Sequence, residues 1–232
     1  MAPPGVSLGH PPRCELPSVH GDDEITPSLE AAYAVETPDE NRRLYAEWAS
    51  SYEETFVAAK AYRYHLHVAD TLVASVRPAG PTLDVGCGTG VVGVALHERG
   101  VSEIDGVDIS PEMLEQAARK GVYRQLIEAD LTIGMDVADD TYAAVASAGT
   151  FTRGHLPPEP IRELIRVTMP GGRCAIGVNA AHFEDLGFAA WLEAAVEEGL
   201  IGPYELTRRK VYEGSDPDTP DDMSDIVGFS VR

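Results

Sequence analysis

The sequence predicts an α/β fold in which a seven-stranded, mostly parallel sheet carries helices on both faces and ends in an antiparallel hairpin. Three observations predict it. From Thr82 onward, short apolar runs alternate with helix-length segments, the pattern of parallel βαβ units. The first of these runs breaks into a glycine-rich turn and re-enters a helix. The last two, Tyr204–Tyr212 and Asp225–Val231, have no helix between them and should pair as a hairpin at the sheet edge.

Residues 1–36 read as a flexible, acidic, proline-rich arm, because the first forty residues hold eight acids, one base (Arg13) and repeated prolines. A single domain, 37–232, follows. Thr37 as N-cap, Pro38 at the first helical position and Asp39 and Glu40 in the first turn mark a helix start. Leu44, Trp48, Tyr52 and Phe56 then recur on one helix face. A second helical run, Tyr62 to Val76, ends at Arg77-Pro78. Within the cofactor-binding core, 81–200, the expected strands are Thr82–Val85, Glu103–Val107, Tyr123–Glu128, Tyr142–Ala146 and Arg173–Val178. The expected helices are Gly90–Arg99, Pro111–Lys120, a short one near Asp136–Thr141, Glu159–Thr168 and a long one from His182 to Gly199. The hairpin occupies 201–232, and its Glu213–Asp225 loop, with six acids and no base, reads as a solvated excursion.

Composition narrows the partners. The 232 residues carry 18 Lys plus Arg against 38 Asp plus Glu, a net charge of −20, and no run of bases interrupts this balance, so phosphate backbones are repelled. No apolar stretch approaches the ~20 residues of a membrane helix, and the N-terminus lacks the basic and apolar regions of a signal peptide. A cytoplasmic protein with no nucleic-acid or membrane partner is expected, as monomer or homodimer. Cys14, Cys87 and Cys174 form no CxxC pair, and His65 and His67 point apart on a helix, so neither structural zinc nor another metal is expected.

The stretch from Thr82 to Gly93 is the most informative. Gly88-Thr89-Gly90-Val91-Val92-Gly93 satisfies the dinucleotide fingerprint, and Asp108 lies where a ribose-binding acid belongs. Asp84 argues against a dinucleotide, since an ionised carboxylate at the strand end would oppose a pyrophosphate. A ligand with a ribose, an adenine and a positive amino-acid end but no phosphate suits these charges, and S-adenosylmethionine is such a ligand. The alternative for Asp84 is a strand-end acid capping the next helix. Cys87 fills a small slot between glycines and reads as packing.

Leu83-Asp84-Val85-Gly86-Cys87-Gly88-Thr89-Gly90, Val107-Asp108-Ile109-Ser110 and Glu128-Ala129-Asp130-Leu131 together resemble the class I S-adenosylmethionine-dependent methyltransferases, over residues 37 to 231. Within that superfamily, Tyr45-Ala46-Glu47-Trp48-Ala49-Ser50-Ser51-Tyr52, the segment Gly106 to Gln116, and Gly149-Thr150-Phe151-Thr152-Arg153-Gly154-His155 are similar to bacterial relatives of the Williams–Beuren methyltransferase-like proteins. The resemblance implies a Rossmann-like sheet under an N-terminal helical lid, 37–80. It implies that Asp84, Gly86 and Gly88 line the methionine end of the cofactor, that Asp108 binds the ribose, and that Asp130 accepts from the adenine amino group between Ile109 and Leu131. Gly90, Met113, Ala148 and Gly149 also fall at the cofactor by this resemblance, and Tyr45, Trp48 and Tyr52 in the lid. The product would be S-adenosylhomocysteine.

The loop after the fourth strand should meet the substrate, through Thr150, Phe151, Arg153 and the candidate base His155, whose ordinary pKa lies near neutrality. Each has a plainer alternative: a loop-ordering hydrogen bond for His155, exposure for Arg153, sheet packing for Phe151. His182 either faces the pocket or caps its helix, and the aromatic stripe of Trp48, Tyr52 and Phe56 either roofs the cofactor or fills the core. A small-molecule acceptor, methylated at O or N, is expected from the absence of any module for a macromolecule. Protein N-methylation, an NAD-dependent oxidoreductase and a non-catalytic binding module are the other readings.

Overall fold

A computed structural model of the chain describes residues 27–35, 37–75, 78–213 and 222–232. Most of the expected arm, including Cys14, and the middle of the acidic hairpin loop lie outside these residues, as does the Val76-Arg77 end of the second helical run. The arm's last part is ordered: α1 (Leu29–Tyr33), capped by Ser28, buries Ala32. Helix α2 (Pro38–Trp48) starts where Thr37 and Glu40 cap each other reciprocally, with proline at the first position. The aromatic stripe does not continue one regular helix. Beyond α2 the chain passes into a π-helical segment, Glu53–Ala58, and then α3 (Tyr64–Ser75).

The sheet comprises β1 (Thr82–Val85), β2 (Ile104–Asp108), β3 (Tyr123–Glu128), β4 (Tyr142–Phe151), β5 (Thr168–Asn179), β6 (Glu205–Lys210) and β7 (Met223–Ser230), in the order β3-β2-β1-β4-β5-β7-β6. The first five are parallel, and β7 runs antiparallel between β5 and β6. Between them lie α4 (Val91–Glu98), α5 (Pro111–Ala118), α6 (Ile161–Val167), α7 (Ala180–Asp185) and α8 (Phe188–Glu197).

Strand alternation divides the core by face. Ala144, Ala146 and Ala175 pack with Leu44, Val68, Leu72 and Leu96 on the side of α2, α3 and α4. Val145, Cys174 and Ile176 pack with Leu164, Phe188 and Leu192 on the side of α6 and α8.

Three expectations change. The segment 136–141 contains no helix. The long helix is two, broken where Gly187 adopts φ 70°, a left-handed conformation that glycine takes at little cost. Strand β4 runs on to Phe151: after a register shift beyond Ser147, Phe151 pairs with Val178, so Ala148–Phe151 are strand rather than loop.

Candidate active site

The C-terminal ends of β1, β2, β3 and β4 open into a cavity of about 300 Å³, the crevice in which open α/β sheets hold ligands. Its floor is Gly86 and Gly88 after β1, and Thr150 at the end of β4. A Cβ on Gly86 would lie 2.0 Å from Thr150 Oγ1, and its φ is +63°, so this position admits only glycine without rearrangement. Asp108, Ile109, Met113, Asp130 and Leu131 line one side. The roof is α2, through Thr37, Pro38, Asn41 and Tyr45, held down by the Arg42 guanidinium donating to the Ile109 carbonyl at 3.1 Å.

Two carboxylates face this space. Asp108 accepts from the amides of Gly88 (2.8 Å) and Ser110 (3.0 Å), one on each oxygen, which fixes its plane and leaves further lone pairs. Burial raises its pKa while those amides oppose the shift. Asp130 ties one oxygen to the amide and hydroxyl of Thr132. No lysine or arginine among the described residues lines the cavity. Apolar Ile109, Met113 and Leu131 beside hydrogen-bond-accepting carboxylates, with no cation for a phosphate, make a donor set for a polar, phosphate-free ligand carrying a flat ring.

Asp84 does not line the cavity. It is fully buried, accepts from the Tyr123 hydroxyl at 2.7 Å and leaves Oδ1 without a partner. Burial pushes its pKa up to about 7, against the pull of the Tyr123 hydroxyl and the Gly93 amide. The N-terminus of α4, begun by Gly90, carries no side-chain cap, so Asp84 is held by Tyr123 rather than as a cap of that helix.

His155 stands at a seam. It lines the large cavity and also a second chamber, of about 60 Å³, between the lid and β4, β5 and β7. Its Nδ1 lies 2.9 Å from the Arg153 carbonyl, which can only accept, so Nδ1 carries the proton and Nε2 the lone pair. The Tyr45 hydroxyl, 3.3 Å away, donates to that Nε2. Burial lowers the pKa of His155 and raises that of Tyr45, so the imidazole is neutral and the phenol protonated near pH 7. The chamber is walled by aromatic rings, among them Trp48, Tyr52, Phe56, Tyr62 and Tyr212.

A family profile described as a methyltransferase domain matches residues 82–172. Human methyltransferase-like protein 27 is 32% identical over 193 residues, covering 77% of this chain and 76% of its own length. The chain belongs to the class I S-adenosylmethionine-dependent methyltransferases. A ribosomal protein L11 methyltransferase from Cupriavidus metallidurans is 29% identical over 56% of this chain, which spans only 43% of that relative. The solved complex between a Haloferax volcanii methyltransferase and the Trm112 methyltransferase activator contains a chain of the same fold, with a TM-score of 0.60 and 18% identity over 81% of this chain and 98% of its own.

S-adenosylmethionine is therefore the cofactor of this methyltransferase, and the dinucleotide reading of the glycine turn falls. The donor set of the large cavity fits it: glycine at the floor, carboxylates at the ends of β2 and β3, an apolar slot and no phosphate-binding cation. Several expected site residues of the methyltransferase lie outside the large cavity. Trp48 is 3% exposed, donates to Thr55 and lines only the aromatic chamber, as do Gly149 and Phe151, the last fully buried against Phe188. Gly90 begins α4 and packs on Tyr123, while Ala148 packs on the α3 side of the sheet; neither reaches a cavity. Arg153 is exposed and contributes its carbonyl. His182 is buried, its Nε2 donating to the Leu156 carbonyl at 2.9 Å, a strut under the loop after β4.

Of the roof residues, Thr37 and Pro38 figure in the sequence only as a helix start and Asn41 carries no signal of its own there. Asn41 stands four residues before Tyr45 on the same face, which was the available signal. No helix among the described residues is long and apolar enough to cross a membrane, and none of their His, Cys, Asp and Glu side chains group to hold a metal.

Proposed function

We propose that this methyltransferase transfers the methyl group to an oxygen or nitrogen of a small molecule seated in the aromatic chamber beside His155. The observation that carries the reading is the chamber itself: enclosed by lid and sheet, lined by aromatic rings, and sharing Tyr45, Tyr52 and His155 with the large cavity. When bound, the cofactor supplies an electrophilic methyl on a sulfonium, whose departure as a neutral thioether needs no acid.

The chain's own residues then divide the work. Asp108 accepts from the ribose hydroxyls, having both oxygens oriented by backbone amides. Asp130 accepts from the adenine amino group, with Ile109, Met113 and Leu131 around the ring. Gly86 and Gly88 let the backbone approach the methionine end. Asp84 acts from beneath, tying the strand before the glycine turn to Tyr123. Neutral His155 takes, on Nε2, the proton of the Tyr45 hydroxyl as that hydroxyl takes the proton the acceptor loses. Alignment of acceptor and methyl between lid and sheet supplies the rest.

The second reading is methylation of a protein, favoured by the L11 methyltransferases among the relatives. A chamber of about 60 Å³ admits a single side-chain head at most, so a whole polypeptide would need the lid displaced. Incubation with methyl-tritiated S-adenosylmethionine and panels of small phenols and amines, beside folded and unfolded protein extracts, separates the two. Label in the small-molecule fraction is expected; label in protein alone would overturn the proposal.

A further inference from the structure

We propose that the acceptor is a small amine that enters as its ammonium ion and is recognised by the aromatic wall of the chamber. The inference rests on the reading of that chamber as the acceptor site and adds the charge and class of what enters. Its first ground is the lining. Trp48 and Tyr52 meet edge to face at 5.1 Å, Phe56 packs on Tyr62 at 5.4 Å, and Tyr62 on Tyr212 at 6.2 Å, so that aromatic rings make up much of the wall. The face of such a ring attracts a cation, the more so when it is stripped of water.

The second ground is charge. No lysine or arginine among the described residues lines either cavity. Burial above all, with Asp108 beside Tyr45 and Tyr52 and Asp222 beside Tyr212, raises the pKa of these tyrosines, so they stay protonated and neutral. The wall therefore offers neutral rings and hydroxyl oxygens. An anionic acceptor, a carboxylate or a thiolate, would lose its water there with no cation to meet it. The other titratable group facing the space, His155, is neutral and does not repel an ammonium ion.

The third ground is size. A volume of about 60 Å³ corresponds to about four to six water-sized groups, which suits an ammonium head with its alkyl substituents. His155 then completes the chemistry. An ammonium N–H proton passes to the Tyr45 hydroxyl as that hydroxyl gives its own proton to Nε2, the freed nitrogen lone pair forms the N–C bond to the methyl carbon, and the C–S bond breaks with its electron pair remaining on sulfur. The proton leaves His155 to solvent once the product departs.

The test uses two soluble probes of equal heavy-atom count, tetramethylammonium and tert-butanol, titrated into the full chain saturated with S-adenosylhomocysteine. The chain has two tryptophans, Trp48 in the chamber and Trp191 on α8, so the two indole N–H signals in a ¹⁵N spectrum report site and control. Tetramethylammonium is expected to shift the Trp48 signal with a dissociation constant about 10-fold or more below that of tert-butanol, leaving Trp191 in place. Tyr62→Leu is expected to lower that preference at least about threefold, and Tyr62→Phe to keep it. Equal affinities, tighter binding of tert-butanol, or no movement of Trp48 would overturn the amine assignment. Calorimetry of S-adenosylhomocysteine on the same sample distinguishes the levels. Failure to bind it would bring down the proposed function, whereas binding without ammonium preference would bring down only this inference.

Discussion

Asp84 makes a quantitative prediction about stability. Its carboxyl ionises near 3.8 in an open chain and is pushed up to about 7 in the fold, chiefly because burial penalises the charge and only the Tyr123 hydroxyl and the Gly93 amide relieve it. Between those two values the folded state holds a proton that the unfolded state has released. Stability from this group is therefore complete below about pH 4 and is lost as pH rises toward about 7. The span is equivalent to about 4 kcal/mol. Asp84→Asn keeps the shape and cannot ionise. Urea unfolding of the ligand-free protein and the variant, from pH 4 to pH 8, should show the wild type losing up to about 4 kcal/mol relative to the variant across that range. Other groups titrate in both proteins and cancel in the difference. A difference that stays constant within about 0.5 kcal/mol would mean that Asp84 is ionised in the fold throughout, and the argument from its burial would be wrong.

The remaining predictions concern the large cavity. Asp108→Ala should weaken S-adenosylhomocysteine binding by about 1–3 kcal/mol in calorimetry, since it removes the carboxylate and leaves the Gly88 and Ser110 amides without their acceptor. Gly86→Ala should cost about 1–3 kcal/mol in thermal unfolding and abolish measurable binding, because the new methyl meets Thr150 Oγ1 at a positive φ. Adding Thr150→Ala should recover the steric part and not the backbone part. His155→Ala should leave S-adenosylhomocysteine affinity within about twofold while lowering turnover about 10²-fold; full turnover at neutral pH would make the histidine a loop strut, as His182 is.

The fold was legible because its signals are local. Thr37-Pro38 and Ser110-Pro111 each announce a helix by cap chemistry, and both caps form. Asp108 was legible through its spacing from the glycines and Asp130 through the family resemblance, and both line the cavity at the sheet's C-terminal rim. What failed depended on partners distant in sequence. The end of β4 falls at Ala146 in the sequence reading because Ala148 and Gly149 are poor strand formers, yet β5 supplies a ladder for Phe151. Trp48 and Tyr45 lie three residues apart on one helix, and only docking onto β4 and the π-helical segment decides that Tyr45 meets the large cavity while Trp48 turns to the chamber.

The glycine turn shows why a motif needs its structure before its ligand is named. Gly90 and Gly93 completed a dinucleotide fingerprint in the sequence, where such glycines make room for a pyrophosphate and for helix-to-strand packing. Here the room is taken by a side chain. A Cβ on Gly93 would lie 2.2 Å from the Tyr123 hydroxyl, one on Gly106 3.0 Å from the same ring, and one on Gly90 3.1 Å from it. The ring of Tyr123 threads these three gaps to put its hydroxyl on Asp84 at 2.7 Å. Glycine at 90 and 93 thus serves the burial of an acid under the turn. The spacing of glycines carried the site's position, while the rim carboxylates Asp108 and Asp130, with no lysine or arginine among the described residues beside them, suit a phosphate-free cofactor.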